Sequence, residues 1–174
     1  VDPIEKMATD DTMRAVRLAQ VVVLVLDATN YIEKQDLTIA QHVAEEGRAL
    51  VIAVNKWDAV QNKERALKDL EERLTLSLAQ LAGVPVVTLS ALQGKNPDKL
   101  MSEVLRLYRL WNGRISTSRL NRWLAAAESR HPAPSVQGRA NRVKYMTQIK
   151  TRPPTFAVWC SRPADLPEEY KRYL

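Results

Sequence analysis

Asn55-Lys56-Trp57-Asp58 stands at the end of the apolar run Leu50–Val54, and Ser90-Ala91 stands at the end of a second run, Pro85–Leu89. A carboxylate such as Asp58, held at a strand exit, can accept two adjacent donors in one bidentate, charge-assisted contact. Guanine offers that pair in its N1–H and exocyclic amino group. Adenine offers neither and would leave the carboxylate unpaired. Hydrogen bonds to a charged group are worth about 1.5–3 kcal/mol each, enough to discriminate between the two bases. The aliphatic stem of Lys56 can lie along the plane of the base, and the Asn55 amide can tie the loop to a neighbouring phosphate-binding loop. The Ala91 backbone N–H can donate to guanine O6, and the Ser90 hydroxyl can help hold Asp58. Taken singly these residues say little, because an Asp after a strand is commonly a turn or helix cap. Together they assign Asn55, Lys56, Trp57, Asp58, Ser90 and Ala91 to a guanine-nucleotide site, since the motifs occur in order, one strand–helix unit apart, each after an expected parallel strand.

The elements that must position these loops follow from apolar periodicity. Residues 21–27 (VVVLVLD) are apolar at nearly every position, as expected of a strand covered on both faces, and 50–54 and 85–89 read as two more strands. Between them, a helix over 36–46 ends at Gly47, and a second carries Leu67, Leu70, Leu74, Leu78 and Leu81 toward Gly83. A third carries Leu100, Val104, Leu107 and Trp111 and closes at Asn112-Gly113. A further helix over 8–19 is expected before the first strand, with Thr9, Asp10 and Asp11 near its start and Met13 and Val16 inward. Alternating strands and helices specify a parallel α/β sheet, in which ligands bind beyond the carboxyl ends of the strands.

The chain changes character at Gly113. Residues 1–112 hold 14 Lys and Arg against 16 Asp and Glu, whereas 113–174 hold 12 against 4, a balance of +8. This asymmetry predicts two domains, 1–112 and 113–174, the second a small basic α+β unit for which nucleic acid is the first partner to consider. It should contain a helix capped by Thr117 or Ser118 with the stripe Leu120, Trp123, Leu124 and Ala127. Strands over 143–149 and 155–161 and a helix after Pro167 follow. Trp57, Trp111, Trp123 and Trp159 are spread out, and most are assigned to core or interface.

Other chemistry is thinly represented. His42 and His131 have no partner at metal-ligand spacing, so no metal site is expected. Cys160 stands alone, which excludes an intrachain disulfide framework and fits a reducing, cytoplasmic setting. The apolar run Val21–Leu26 is too short to span a bilayer. There is no G-x-x-x-x-G-K-[ST] phosphate loop and no Asp-x-x-Gly switch among the 174 residues, so no catalytic residue is assigned and the chain by itself is expected not to hydrolyse GTP. Beginning at Val1 and ending within a helical pattern at Leu174, the chain is expected to be a piece of a longer protein.

The stretches KMAT, MRAV, VVVLVLDA, QDL, LVIAVNKWD and SAL, continuing through TSRLNRWL, RVKYMTQ, RPPTFAVWC and DLPEEYKRYL, resemble the Der (EngA) family of bacterial tandem GTPases. The likeness spans essentially the whole chain. It implies the back half of the second, P-loop-type G domain, with parallel strands and flanking helices, followed by most of a KH-like domain. It implies GTP or GDP as ligand, Mg²⁺ in the intact protein, and assembly of the large ribosomal subunit in the cytoplasm. The implied partners are the pre-50S particle, its rRNA and the first G domain in cis. One departure is visible. RNA-binding KH modules grip backbone through a GXXG loop, and Gly138 is the only glycine after Gly113. A second reading therefore stands beside the enzyme: a non-enzymatic, basic rRNA-binding module whose nucleotide half-site is idle.

Overall fold

The computed structural model describes residues 3–30, 33–77, 83–135 and 138–174. The chain falls into two compact units, Val1–Trp111 and Asn112–Leu174.

In the first unit the described elements run α1 (Pro3–Leu18), β1 (Val21–Asp27), α2 (Lys34–Glu45), β2 (Ala49–Asn55), α3 (Lys63–Ser77), β3 (Val86–Thr88) and α4 (Pro97–Trp111). The three strands form a parallel sheet in the order β1-β2-β3. β2 is central, and Leu50 through Val54 are all buried, as an apolar run with helices on both faces should be. Leu50 packs with Val16, Ala40 and Val43 from α1 and α2. Ile52 and Val54 pack with Leu26 and with Leu70 of α3. Helix α4 packs on β2 and β1, anchored at its end by Trp111, whose Nε1–H donates to the Gly47 carbonyl at 2.7 Å.

Helix α2 ends as its sequence predicts. Gly47 sits at φ +66°, its N–H donates to the Ala44 carbonyl at 2.9 Å, and the Arg48 N–H donates to that of Val43 at 3.0 Å. This is the Schellman pattern, in which a left-handed residue lets two terminal carbonyls find donors.

Several expectations are corrected. Helix α1 begins at Pro3, not near residue 8, because Pro suits a first helical turn, so Thr9, Asp10 and Asp11 fall in mid-helix. β1 is not covered on both faces, for Val25 is 60% exposed. Among the described residues β1 has a neighbour on one side only, and the helices that enclose β2 leave Val25 in solvent. Leu78 and Leu81 lie outside the described residues. No helix among the described residues is long and apolar enough to cross a membrane.

The second unit contains α5 (Thr117–Arg130), an antiparallel hairpin of β4 (Val143–Lys150) and β5 (Thr155–Cys160), a 3₁₀ turn (Pro163–Asp165) and α6 (Glu168–Tyr173). Leu120 and Leu124 of α5 meet Val143 and Met146 of β4, with Leu166 and Tyr170 closing the core. An irregularity between Val143 and Tyr145 adds a residue to the pleat, so that Val143, Met146 and Gln148 all face inward. The cap of α5 is Ser116 rather than Thr117 or Ser118. Trp123 is 41% exposed and leaves the apolar stripe to Leu120, Leu124 and Ala127.

Side-chain amides complete what the short sheet leaves open. The Asn121 Nδ2 donates to the Met146 carbonyl at 2.8 Å, and its Oδ1 accepts the Met146 N–H at 3.0 Å. In this way Asn121 pairs one residue of β4 as a neighbouring strand would. Gln148, also buried, accepts the Ile115 N–H at 2.8 Å and donates to the Gly113 carbonyl at 3.2 Å.

Candidate functional site

Parallel strands in register bring their carboxyl ends to one edge. Asp27 of β1 lies beside Asn55 of β2, and Val54 lies beside Thr88 of β3. The loops carrying the six candidate residues leave from that edge side by side.

The β2 loop is tied to both neighbours. The Ala28 N–H donates to the Asn55 carbonyl at 2.9 Å and the Trp57 N–H to the Leu89 carbonyl at 3.1 Å. The Ala91 N–H donates to Asn55 Oδ1 at 3.0 Å. The Asn55 amide thus joins the two candidate loops to each other, and a guanine O6 approaching Ala91 would share its N–H with Asn55. The half-buried Trp57 packs on the Leu26, Val54 and Leu70 cluster, anchoring the loop between its two polar neighbours.

Lys56 takes a left-handed backbone, φ +60°, which costs a non-glycine residue about 1–2 kcal/mol. Its Nζ lies 2.5 Å from Asp27 Oδ2. Asp27 Oδ1 accepts the Thr29 N–H at 2.9 Å and its hydroxyl at 2.6 Å. The Lys56 ammonium, seconded by the Thr29 donors, holds the Asp27 carboxyl down to about 2. Asp27 was not among the sequence candidates. Its only signal is its place as the last residue of an otherwise apolar strand, and its role needs the β1–β2 register.

Asp58 is exposed and accepts the hydroxyl of Ser90, which keeps its carboxyl below the ordinary range, with its own backbone N–H and the nearby Lys95 and Lys63 as further causes. Ser90 itself is 2% exposed. Its Oγ accepts the Gln93 N–H at 3.1 Å, and its backbone pairs with Lys95 in both directions, at 3.1 and 3.0 Å. Asn96, at φ +65°, ties the end of this turn to the Thr88 carbonyl at 2.9 Å. An ionised, solvent-facing carboxylate therefore stands on a hydrogen-bonded turn, ready to accept paired donors.

Asp58 borders a recess of about 60 Å³ that includes Trp57, Ser90, Lys95 and Asn96. Small-molecule sites commonly enclose ~300–1,000 Å³, so a ligand meeting Asp58 would be gripped on one side. A larger groove of about 510 Å³ is also bordered by Trp57, with Asp27, Asn62, Arg65, Asp69 and Arg73 around it. Among the described residues no group of three His, Cys, Asp or Glu could hold a metal ion.

An α/β sheet of this order, with an Asn-Lys-x-Asp loop after β2 and Ser-Ala after β3, defines a G-domain class of protein, and similarity agrees. Residues 8–109 match the elongation factor Tu GTP binding domain, and the chain belongs to that family. Residues 114–174 match the C-terminal KH-domain-like region of EngA bacterial GTPase enzymes. The chain is 52% identical to GTPase Der of Parvibaculum lavamentivorans over 173 residues, 99% of this chain and 37% of that protein. With GTPase Der of Jannaschia sp. it is likewise 52% identical, over 99% of this chain and 36% of the relative. It thus spans little more than a third of these relatives' length. In fold, the apo translation elongation factor SelB of Methanococcus maripaludis superposes with a TM-score of 0.51 at 14% identity, over 59% of this chain and 23% of that one.

Proposed function

We propose that this chain supplies guanine recognition to a GTP-hydrolysing protein of ribosome assembly, acting in the bacterial cytoplasm on the large subunit. The observation that carries the reading is the Asp58 carboxylate, ionised and braced by the buried Ser90 at the joint exit of β2 and β3. Asp58 accepts N1–H and the 2-amino group, the Lys56 stem flanks the base, and Ala91 offers O6 its N–H. Asn55 couples the two loops, and Trp57 holds them to the core. The relatives that match along the whole of this chain carry the name GTPase Der, which supports the enzymatic reading for the longer protein.

The phosphates need donors that these 174 residues lack in sequence, since no G-x-x-x-x-G-K-[ST] stretch is present. We assign the phosphate loop, the Mg²⁺ it accompanies and the hydrolytic step to residues outside this chain, which by itself is inactive. The shallow recess at Asp58 is consistent with a half-site. The first G domain in cis, the pre-50S particle and its rRNA are the proposed partners.

The test is a change of base. In a chain that also carries a phosphate loop, Asp58→Asn should lower guanine-nucleotide affinity roughly 10- to 100-fold, the worth of one lost charged hydrogen bond. It should raise affinity for xanthine nucleotides, whose 2-oxo group accepts from an amide. Competition binding reads both, and an unaltered guanine preference would remove Asp58 from the site. Submicromolar GDP binding by these 174 residues alone would contradict the half-site reading.

One observation favours a second reading, a basic rRNA-binding module with an idle nucleotide site. Residues 113–174 carry 12 Lys and Arg against 4 acids, which fits phosphate contact without a GXXG loop.

A further inference from the structure

The outer face of the β4–β5 hairpin is aromatic where the inner face is core. Tyr145 and Trp159 are register partners, and their rings meet edge to face at 5.2 Å between centroids. They remain 42% and 49% exposed. Farther along β4, Ile149 is exposed as well. Large side chains in so short a sheet would normally be turned into the core, which here is filled from the other face by Val143, Met146 and Val158. The two rings meet in solvent.

The surrounding charge says what covers it. From His131 to Arg162 the chain has six Lys and Arg and no Asp or Glu. Arg142, Lys144, Lys150 and Arg152 are exposed at the ends and flanks of the two strands. A protein partner would meet these four exposed cations beside a small aromatic patch, in a segment with no acid of its own, whereas a phosphate chain carrying unpaired bases satisfies both features at once. Sheets that bind single strands combine these elements, aromatic rings for the bases and cations for the backbone. A duplex keeps its bases stacked inside and offers the rings nothing.

We propose that this face is a stacking platform for unpaired bases of single-stranded RNA, with Tyr145 and Trp159 meeting bases and the flanking Lys and Arg meeting phosphates. The inference rests on the RNA-partner reading above and adds the residues, the strandedness and a mode of contact that does not need a GXXG loop.

The experiment is a titration, by fluorescence anisotropy, of the full-length protein into a short labelled mixed-sequence RNA without internal pairing, and into its duplex. Trp159→Ala should weaken single-strand binding roughly 5- to 150-fold, while Trp159→Phe retains most of it and duplex binding does not change. Lys150→Gln should weaken both RNAs alike and flatten the salt dependence. Equal single-strand affinity in wild type and Trp159→Ala, with RNA still bound, overturns the platform and leaves the RNA reading standing. No RNA bound by the wild type at low salt overturns both. Loss of self-association in Trp159→Ala, without an RNA effect, would assign the face to a protein contact and also overturns the proposal.

Discussion

At Lys56 a left-handed backbone coincides with an ammonium tied to Asp27, so the residue beside the proposed base is fixed at both ends. The pair makes a definite acid-range prediction. Because Asp27 is depressed to about 2, the stability it contributes is present above the ordinary carboxylate pKa near ~3.9 and is lost as pH falls through about 2. Carboxyl-carbon NMR should show Asp27 titrating near that value, and Lys56→Met should move the midpoint upward while the Thr29 donors keep it below normal. An unmoved midpoint would remove Lys56 as the cause. The six residues of the proposed guanine site were legible in sequence as a motif, because they fall in short runs at strand exits. Asp27 was not, since its meaning lies in Lys56, just past its parallel neighbour Asn55 on the next strand.

Elements were mostly visible from apolar spacing, and the misses share a physical origin. Trp123 fits the stripe of α5 by position, yet the core needs only Leu120, Leu124 and Ala127 to be full. Val25 fits a buried strand, yet burial depends on what lies over the strand. Gly47 shows a local rule that succeeds, and replacing it tests the rule. Gly47→Ala would force alanine to φ +66° and should cost about 1–2 kcal/mol in denaturant unfolding. An effect below a few tenths would mean that the helix end rearranges. The hairpin shows a rule that no local pattern reveals, because Asn121 substitutes for a strand beside Met146. Asn121→Ala leaves that N–H and carbonyl unpaired and should cost about 1–3 kcal/mol, with faster amide exchange at Met146. Exchange unchanged at that amide would show that another group, or water, takes the place of Asn121.

On the scale of the molecule, charge and fold divide at nearly the same place, the neutral unit Val1–Trp111 and the basic unit Asn112–Leu174. If single-stranded RNA neutralises the six cations between His131 and Arg162, affinity should fall roughly three-hundredfold between about 50 and 200 mM salt. Titration across that range measures it, and a flat response would deny a direct RNA role to this unit. The sequence by itself determined the α/β class, the positions of most elements, the two motifs of the proposed guanine site and the charge asymmetry, because each depends on residues near one another in the chain. Only the tertiary structure decided which cation meets Asp27, that Asn55 joins the two loops, and that Tyr145 and Trp159 face solvent together. Each of these is set by strand register and by the filling of the core, and those are properties of elements packed together that no single segment carries.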